Sequence, residues 1–253
     1  MQDVKISVIT ATYNNITTIE STIKSVLSQT YRNIEYIIID GASTDGTKEL
    51  IETKYKNDIT VFVSEPDEGM YHALNKGITM VTGDVIGFLH ADDFYAANTI
   101  LEAVAGKFAN TDCDAVYGDL QYVYKSDETK ILRQWQSGEY YPGMMKKGWM
   151  PPHPTLFVIK TYYEAYGLFD TSFKVAADYE LMTRFLCVHN MKPAYIPKVF
   201  IKMRWGGKSN KSIKNIVIKM RDDYRAILKN RVGNIFTLLN KNFSKIGQFV
   251  SKK

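Results

Sequence analysis

The stretch Ile34-Glu-Tyr-Ile-Ile-Ile-Asp-Gly-Ala-Ser-Thr-Asp-Gly46 decides the fold. Ile34 to Ile39 is a nearly uninterrupted apolar run, the pattern of a parallel strand buried on both faces. It stops at Asp40, and Gly41 to Gly46 is turn chemistry leading into a helix near Thr47 to Tyr55. The same alternation extends outward in both directions. Upstream, Lys5 to Thr10 is a β-branched strand ending at the polar loop Thr12-Tyr-Asn-Asn15. A helix follows, with Thr17-Thr-Ile-Glu20 fitting a capping box and Ile19, Ile23, Val26 and Leu27 at helical spacing. Downstream come a strand at Ile59 to Val63, a helix at Met70 to Met80, a strand at Val85 to Leu89 that runs out at Asp92 and Asp93, and a helix from Ala96 to Phe108.

Strand and helix alternating over the first 110 residues predict an α/β doubly wound sheet. Ligands of such sheets bind outside the carboxyl ends of the strands. The polar strand ends at Thr12-Tyr13, Asp40 and Asp92-Asp93 are therefore expected to converge on one crevice. Beyond Asp112 the rhythm changes to short strands of a mixed sheet at Ala115 to Tyr117, Gln121 to Tyr124 and Ile131 to Trp135. Ser137 to Pro154, rich in Gly, Pro, Met and aromatics, reads as a loop over the site. Helices at Thr161 to Tyr166 and Asp178 to His189 and a strand at Tyr195 to Arg204 complete this half.

The bulk properties are those of an ordered globular chain, with 45% apolar and 23% charged residues in 253. No window approaches the roughly 20 apolar residues of a spanning helix. The N-terminus enters a strand without a signal-like segment, so a cytoplasmic protein is expected. Cys113 and Cys187 lie far apart without metal-ligand spacing and read as reduced, buried small hydrophobes. The 17 tyrosines suit sugar and base recognition as well as ordinary packing. Charge is unevenly placed. Lys208 to Lys253 carries twelve Lys/Arg against Asp222 and Asp223, a net of +10, which leaves −5 for the rest of a chain whose total is +5. An acidic body with no binding motif argues against nucleic acid.

In the basic tail, Ile213, Ile216, Val217, Met220, Tyr224, Ile227 and Leu228 recur at helical spacing, and after Gly233 so do Ile235, Phe236, Leu239, Phe243, Ile246 and Val250. Such helices either meet an anionic membrane surface or pack an apolar face on the body.

Two adjacent carboxylates after an apolar strand admit two readings. Asp92 and Asp93 cap a following helix, or they form a hard-cation site in which a substrate diphosphate supplies the remaining oxygens. Asp178, opening a helix, is likewise either a cap or a base assisting deprotonation of a hydroxyl.

Five strings in series, ISVITATYNN, IIIDGASTDGT, EPDEGMYHALNKGI, GDVIGFLHADDFY and AADYELMTRF, resemble the blocks of the family 2 glycosyltransferases over residues 4 to 210. The resemblance implies a GT-A fold and an inverting sugar transfer. Residues 1–210 would be the catalytic domain, divided into a nucleotide-binding half (1–110) and an acceptor-binding half (111–210), with 211–253 the helical tail. It places Ala11 and Tyr13 at the nucleotide base, Asp40 where a carboxylate accepts from the base, and Asp45 and Lys76 along the donor site. It places Asp92 on a divalent ion (Mn²⁺ or Mg²⁺), Asp93 at the ribose or donor sugar, and Asp178 as catalytic base. His153 and Trp149 fall on the acceptor side, each with structural packing as the alternative, and Trp205-Gly-Gly-Lys-Ser209 is similar to a phosphate-closing glycine string.

The partners implied are a nucleoside-diphosphate sugar, with UDP-sugar favoured, and a glycan or lipid-linked glycan acceptor. A non-catalytic nucleotide-sugar-binding subunit is the alternative. The sequence departs from the family pattern at His90 (commonly Asp), Ala11 (Pro), Gly41 (Asp), His72 (Asp) and Ala177 (Glu). The His90 change takes a charge from the expected metal site.

Overall fold

A computed structural model describes residues 3–206 and 213–243. The first half alternates as expected: β1 (Ile6–Thr12), α1 (Ile19–Leu27), β2 (Ile34–Asp40), α2 (Thr47–Lys54), β3 (Val61–Ser64), α3 (Met70–Thr79) and β4 (Val85–Phe88). β3, β2, β1 and β4 lie side by side and parallel. Ile37 and Ile39 of β2 enter the core on one face, while Tyr36 and Ile38 enter the core on the other. Two buried faces explain why this strand shows no polar alternation.

After β4 the chain departs from expectation. Residues Asp93–Tyr95 form a short strand, β5, paired antiparallel to the late strand β9 (Pro193–Trp205). The next helix, α4 (Ile100–Asn110), starts later than the apolar spacing suggests and has Thr99 at its N-cap. Neither Asp92 nor Asp93 therefore caps a helix. The two short strands expected at 115–117 and 121–124 are one, β6 (Ala115–Tyr124), which pairs with β7 (Asp127–Trp135), β8 (Phe157–Ile159) and β9. These strands continue the same sheet in the order β3-β2-β1-β4-β8-β6-β9-β5, so the mixed part is joined to the parallel part through the β4–β8 pair.

No residue of 137–154 lines the strand-end crevice. Met145, in a short 3-10 turn, and Met150 are buried in the core. The backbone at Gly148 packs so closely on the tail that a Cβ there would meet the main chain of Lys241. α5 (Lys160–Tyr166) and α6 (Ala177–Thr183) follow, and a wide π turn over Arg184–Val188 takes the place of the second half of the expected 178–189 helix.

The tail forms α7 (Ile213–Lys229) and α8 (Ile235–Phe243). Ala226, Ile227, Val232 and Leu238 enter the core, which realises the packing alternative for the inner face. Ile246 and Val250 lie outside the described residues, as do Gly207, Lys208 and Ser209 of the glycine string. No described helix is long and apolar enough to cross a membrane.

Candidate active site

The carboxyl ends of β1 and β2 are level, with Thr12 in register with Asp40. Beside them opens a cleft of about 780 Å³ whose wall includes Ala11, Tyr13, Asn15, Gly41, Asp67, Met70, His90, Asp92, Asp93, Tyr122 and Arg204. The loops after β1 and β2 are stitched to each other. Asn14 N donates to Ser43 Oγ (2.8 Å) and Thr44 N to Asn14 Oδ1 (2.9 Å). Asn14 and Ala42 both hold positive φ (54° and 59°), a conformation that costs a residue with a side chain on the order of 1 kcal/mol. Tyr13 lies over the joint, 53% exposed. A Cβ at Gly41 would sit 3.3 Å from its Cδ2, so a glycine there lets the ring approach closely.

Three residues expected to line the donor site instead hold its walls. Asp40 is completely buried, and its carboxylate accepts from Ser43 N (2.9 Å), Ser64 Oγ (2.7 Å) and the Ser43 hydroxyl, so it locks the loop from behind and does not face the cleft. Asp45 accepts from Ile16 N (3.0 Å), Thr47 N (3.0 Å) and Thr47 Oγ (2.6 Å). Burial pushes against its charge, yet these donors outweigh it and hold the carboxyl below its usual range. Lys76 pairs with Glu65 (2.6 Å) and Asp67 (2.7 Å) and reaches the cleft only through Asp67.

Asp92 and Asp93 both reach the cleft but differ in surroundings. Asp92 Oδ1 accepts from Asn15 Nδ2 (3.1 Å) and Thr18 Oγ (2.9 Å). Its main-chain oxygen accepts from Arg204 Nη1 (2.8 Å). Thr18 is the N-cap of α1 but makes no capping bond, and the expected box of Thr17 with Glu20 does not form. Glu20 accepts from Tyr55 (2.9 Å) instead, and the cap hydroxyl is spent on Asp92. Asp93 is 2% exposed. Burial first, and then the charge of Asp92, raise its carboxyl well above the normal range against the pull of Arg204, which favours the protonated form.

Arg204, at the end of β9, is a site residue the sequence did not single out. It is nearly buried and donates to Asp92 O, Glu128 Oε1 (2.7 Å) and Ser21 Oγ (2.8 Å), with its guanidinium 4.5 Å from the centre of the Phe94 ring. The only hint in the sequence is an Arg within an apolar strand, and its partners come from three distant segments.

Asp178 sits in the first turn of α6, whose N-cap is Ala176, so it is not the cap. Its Oδ1 accepts from Tyr71 (3.2 Å), whose hydroxyl also donates to Val175 O (2.9 Å). Burial, then the Asp178 charge, drive the Tyr71 phenol well above its ordinary range, which keeps it a donor. His90 and His153 complete this side, their ring centres 6.2 Å apart. Burial lowers both, His90 to about 4, while the charge of Asp178 opposes the shift at each. Both imidazoles are neutral near pH 7. His153 stacks on Phe88 (5.3 Å), and its Nε2 is buried without a hydrogen-bond partner among the described residues. Trp149 takes the packing role of its two alternatives: it lies between Tyr117 and Tyr140 and donates Nε1 to Ser137 O (2.8 Å).

For a divalent ion, Asp92 Oδ2 is the oxygen left without a protein donor among the described residues. No group of three His, Cys, Asp or Glu side chains able to hold a metal occurs among them. One carboxylate oxygen beside a neutral His90 fits an ion only if a bound ligand supplies most of its coordination.

Comparison with known proteins gives a family and a fold. Residues 7–164 match the family described as Glycosyl transferase family 2. An uncharacterised glycosyltransferase of Mycobacterium tuberculosis is 30% identical over 182 residues, 71% of this chain and 68% of that protein. Another from Rickettsia typhi is 29% identical over 230 residues, 88% of this chain and 70% of its own length. Among solved structures, S. aureus TarS with UDP-GlcNAc superposes with a TM-score of 0.67 at 18% identity, covering 95% of this chain and 73% of that one. Mannosyltransferase PcManGT from Pyrobaculum calidifontis, with GDP-Man and Mn²⁺, gives 0.61 at 19% identity, covering 99% and 76%. Both have the GT-A fold found here.

Proposed function

The chain belongs to glycosyl transferase family 2 and is a glycosyltransferase, and from that premise we propose that it transfers a hexosyl or N-acetylhexosaminyl group, with inversion, from a nucleoside-diphosphate sugar to a glycan or lipid-linked glycan. The observation that carries this reading is the placement of Asp92, with one oriented and one open carboxylate oxygen, in the same cleft as the exposed ring of Tyr13. Tyr13 and Ala11 would meet the base, and Asp93 would meet the ribose or donor sugar. Asp40, Asp45 and Lys76 would hold the loops that shape this half, 1–110, against the acceptor half, 111–210.

TarS, which has been seen in complex with UDP and with UDP-GlcNAc, favours a UDP-sugar as donor. Asp92 would hold Mn²⁺ or Mg²⁺ through its open oxygen, with the donor diphosphate completing the coordination. Bound there, the ion would neutralise charge developing on the leaving group. Asp178, oriented by Tyr71, would take the proton of the acceptor hydroxyl as its oxygen bonds to the anomeric carbon and the bond from that carbon to the diphosphate breaks. An acceptor of this kind would be met at an anionic membrane surface, within polysaccharide biosynthesis.

The test is turnover with a panel of sugar nucleotides and Mn²⁺, following nucleoside diphosphate release. Asp178→Asn should lower the rate on the order of 10²–10⁴-fold while leaving nucleotide binding in place. Equal turnover by the variant would remove Asp178 from the mechanism.

A further inference from the structure

α7 and α8 each have a side turned to the core and a side turned outward. The inner one is in the core. The outer one carries Val217 (61% exposed), Met220 (39%) and Leu228 (51%) on α7, and Ile235 (45%), Phe236 (68%) and Leu239 (40%) on α8. Positions 217, 220 and 228 fall on one stripe of the helix, opposite the buried Asp222, Asp223 and Ala226. Six large apolar side chains left in water across two adjacent helices mark an interaction surface.

Charge selects the partner. The two acids of the tail both point inward: Asp222 (6% exposed) accepts from Val175 N, and Asp223 (1%) pairs with Lys219 and Lys241. No carboxylate remains on the outer surface of the described tail, whereas Arg221, Arg225 and Arg231 are exposed. Pairing this face with a second copy would oppose two tails of net +10 each.

We propose that the outer face of α7–α8 docks on an anionic lipid surface, its apolar side chains entering the interface and its cations meeting the headgroups. The same helices hold the helix that bears Asp178. Lys229 bridges Asp170 (2.8 Å) and Glu180 (3.0 Å), and Asp222 fixes Val175, to which Tyr71 donates. A docked tail would therefore set the base at a fixed height above the membrane. This rests on the proposed transfer to a lipid-linked acceptor only for its purpose, since the binding it describes needs no turnover.

The full-length protein is sedimented with vesicles of phosphatidylcholine alone and of equal parts phosphatidylcholine and phosphatidylglycerol. Binding is expected to the anionic vesicles only, and to weaken as salt is raised. The double substitution Phe236→Asp and Leu239→Asp should reduce partitioning at least tenfold with unchanged circular dichroism and unchanged nucleoside diphosphate release on a water-soluble acceptor. Because both side chains are exposed, folding should survive. If it does not, the milder Phe236→Ser and Leu239→Ser pair is held to the same tenfold expectation.

Wild type that ignores anionic vesicles, or variants that bind as wild type does, would overturn the proposal. So would a wild-type dimer in vesicle-free solution that the substitutions dissociate, because a second copy would then cover the face. Loss of turnover on soluble acceptors with vesicle binding intact would count against the catalytic reading and leave this one standing.

Discussion

Replacing Thr18 by Val removes one hydroxyl at constant shape and separates two roles for that residue. As the N-cap of α1, Thr18 would be worth about 1–2 kcal/mol to the helix. Its side chain makes no capping bond and instead donates to Asp92 Oδ1 at 2.9 Å. A hydrogen bond to a charged acceptor contributes about 1.5–3 kcal/mol. Asp92 keeps its second donor, Asn15 at 3.1 Å, and the carboxylate borders the cleft, where water replaces much of the loss. The stability cost should therefore stay below about 1 kcal/mol. The functional cost should be larger, because losing a partner that orients a metal-binding carboxylate typically weakens metal affinity or activity by about 10–100-fold. The assay is nucleoside diphosphate release titrated with Mn²⁺, alongside urea unfolding of the same preparations. Expected is a rise of at least about tenfold in the Mn²⁺ concentration for half-maximal rate, with the unfolding midpoint nearly unmoved. A loss of about 1–2 kcal/mol with an unchanged Mn²⁺ dependence would show that the hydroxyl works as a cap and that its bond to Asp92 is incidental.

Two further outcomes follow from the tail. Lys241 and Asp223 are each 1% exposed, 2.5 Å apart, and Lys241 lies 3.3 Å from the centre of the Tyr179 ring. Asp223 has a second cation in Lys219, so Asp223→Asn, which takes the carboxylate charge away from a buried ammonium, should cost about 3–5 kcal/mol and Lys241→Met distinctly less. Urea unfolding checks the order, and a reversal would mean that Lys241 is not buried in solution. At Asp170, burial opposes ionisation, but Lys229 and Ser172 outweigh it and hold the carboxyl down at about 2. Its folded value is depressed, so its stabilisation is complete above the unfolded value near 3.9 and is lost as pH falls through about 2. After discounting for the half-exposed Lys229, Asp170→Asn should cost about 1 kcal/mol at pH 7, with the difference from wild type fading at pH 2. A difference that persists at pH 2 would refute the ionic account.

Local chemistry is what a sequence carries, and the parallel half of this protein is local. The run Ile34 to Ile39 is apolar on both faces because both faces are buried, and the turn at Gly41 to Gly46 must follow wherever the strand ends. Those patterns, with the five family blocks, determined the sheet, the edge at which the cleft opens, and the presence there of Tyr13, Asp92 and Asp93. They could not determine what each polar group bonds to, because the partners are distant in the chain. The Thr18 hydroxyl left its own helix for Asp92, 74 residues away. Asp40, Asp45 and Lys76 turned from the cleft to hold its walls. Arg204 came from the last strand of the sheet to fix the Asp92 backbone, 112 residues back. The tail shows the same division: helical spacing fixed that two amphipathic helices form, while only packing against α6 decided which apolar face is buried and which is left for a partner. Backbone propensity and hydrophobic periodicity act over a few residues, whereas each hydrogen bond and buried charge is satisfied by whatever the completed fold brings within reach.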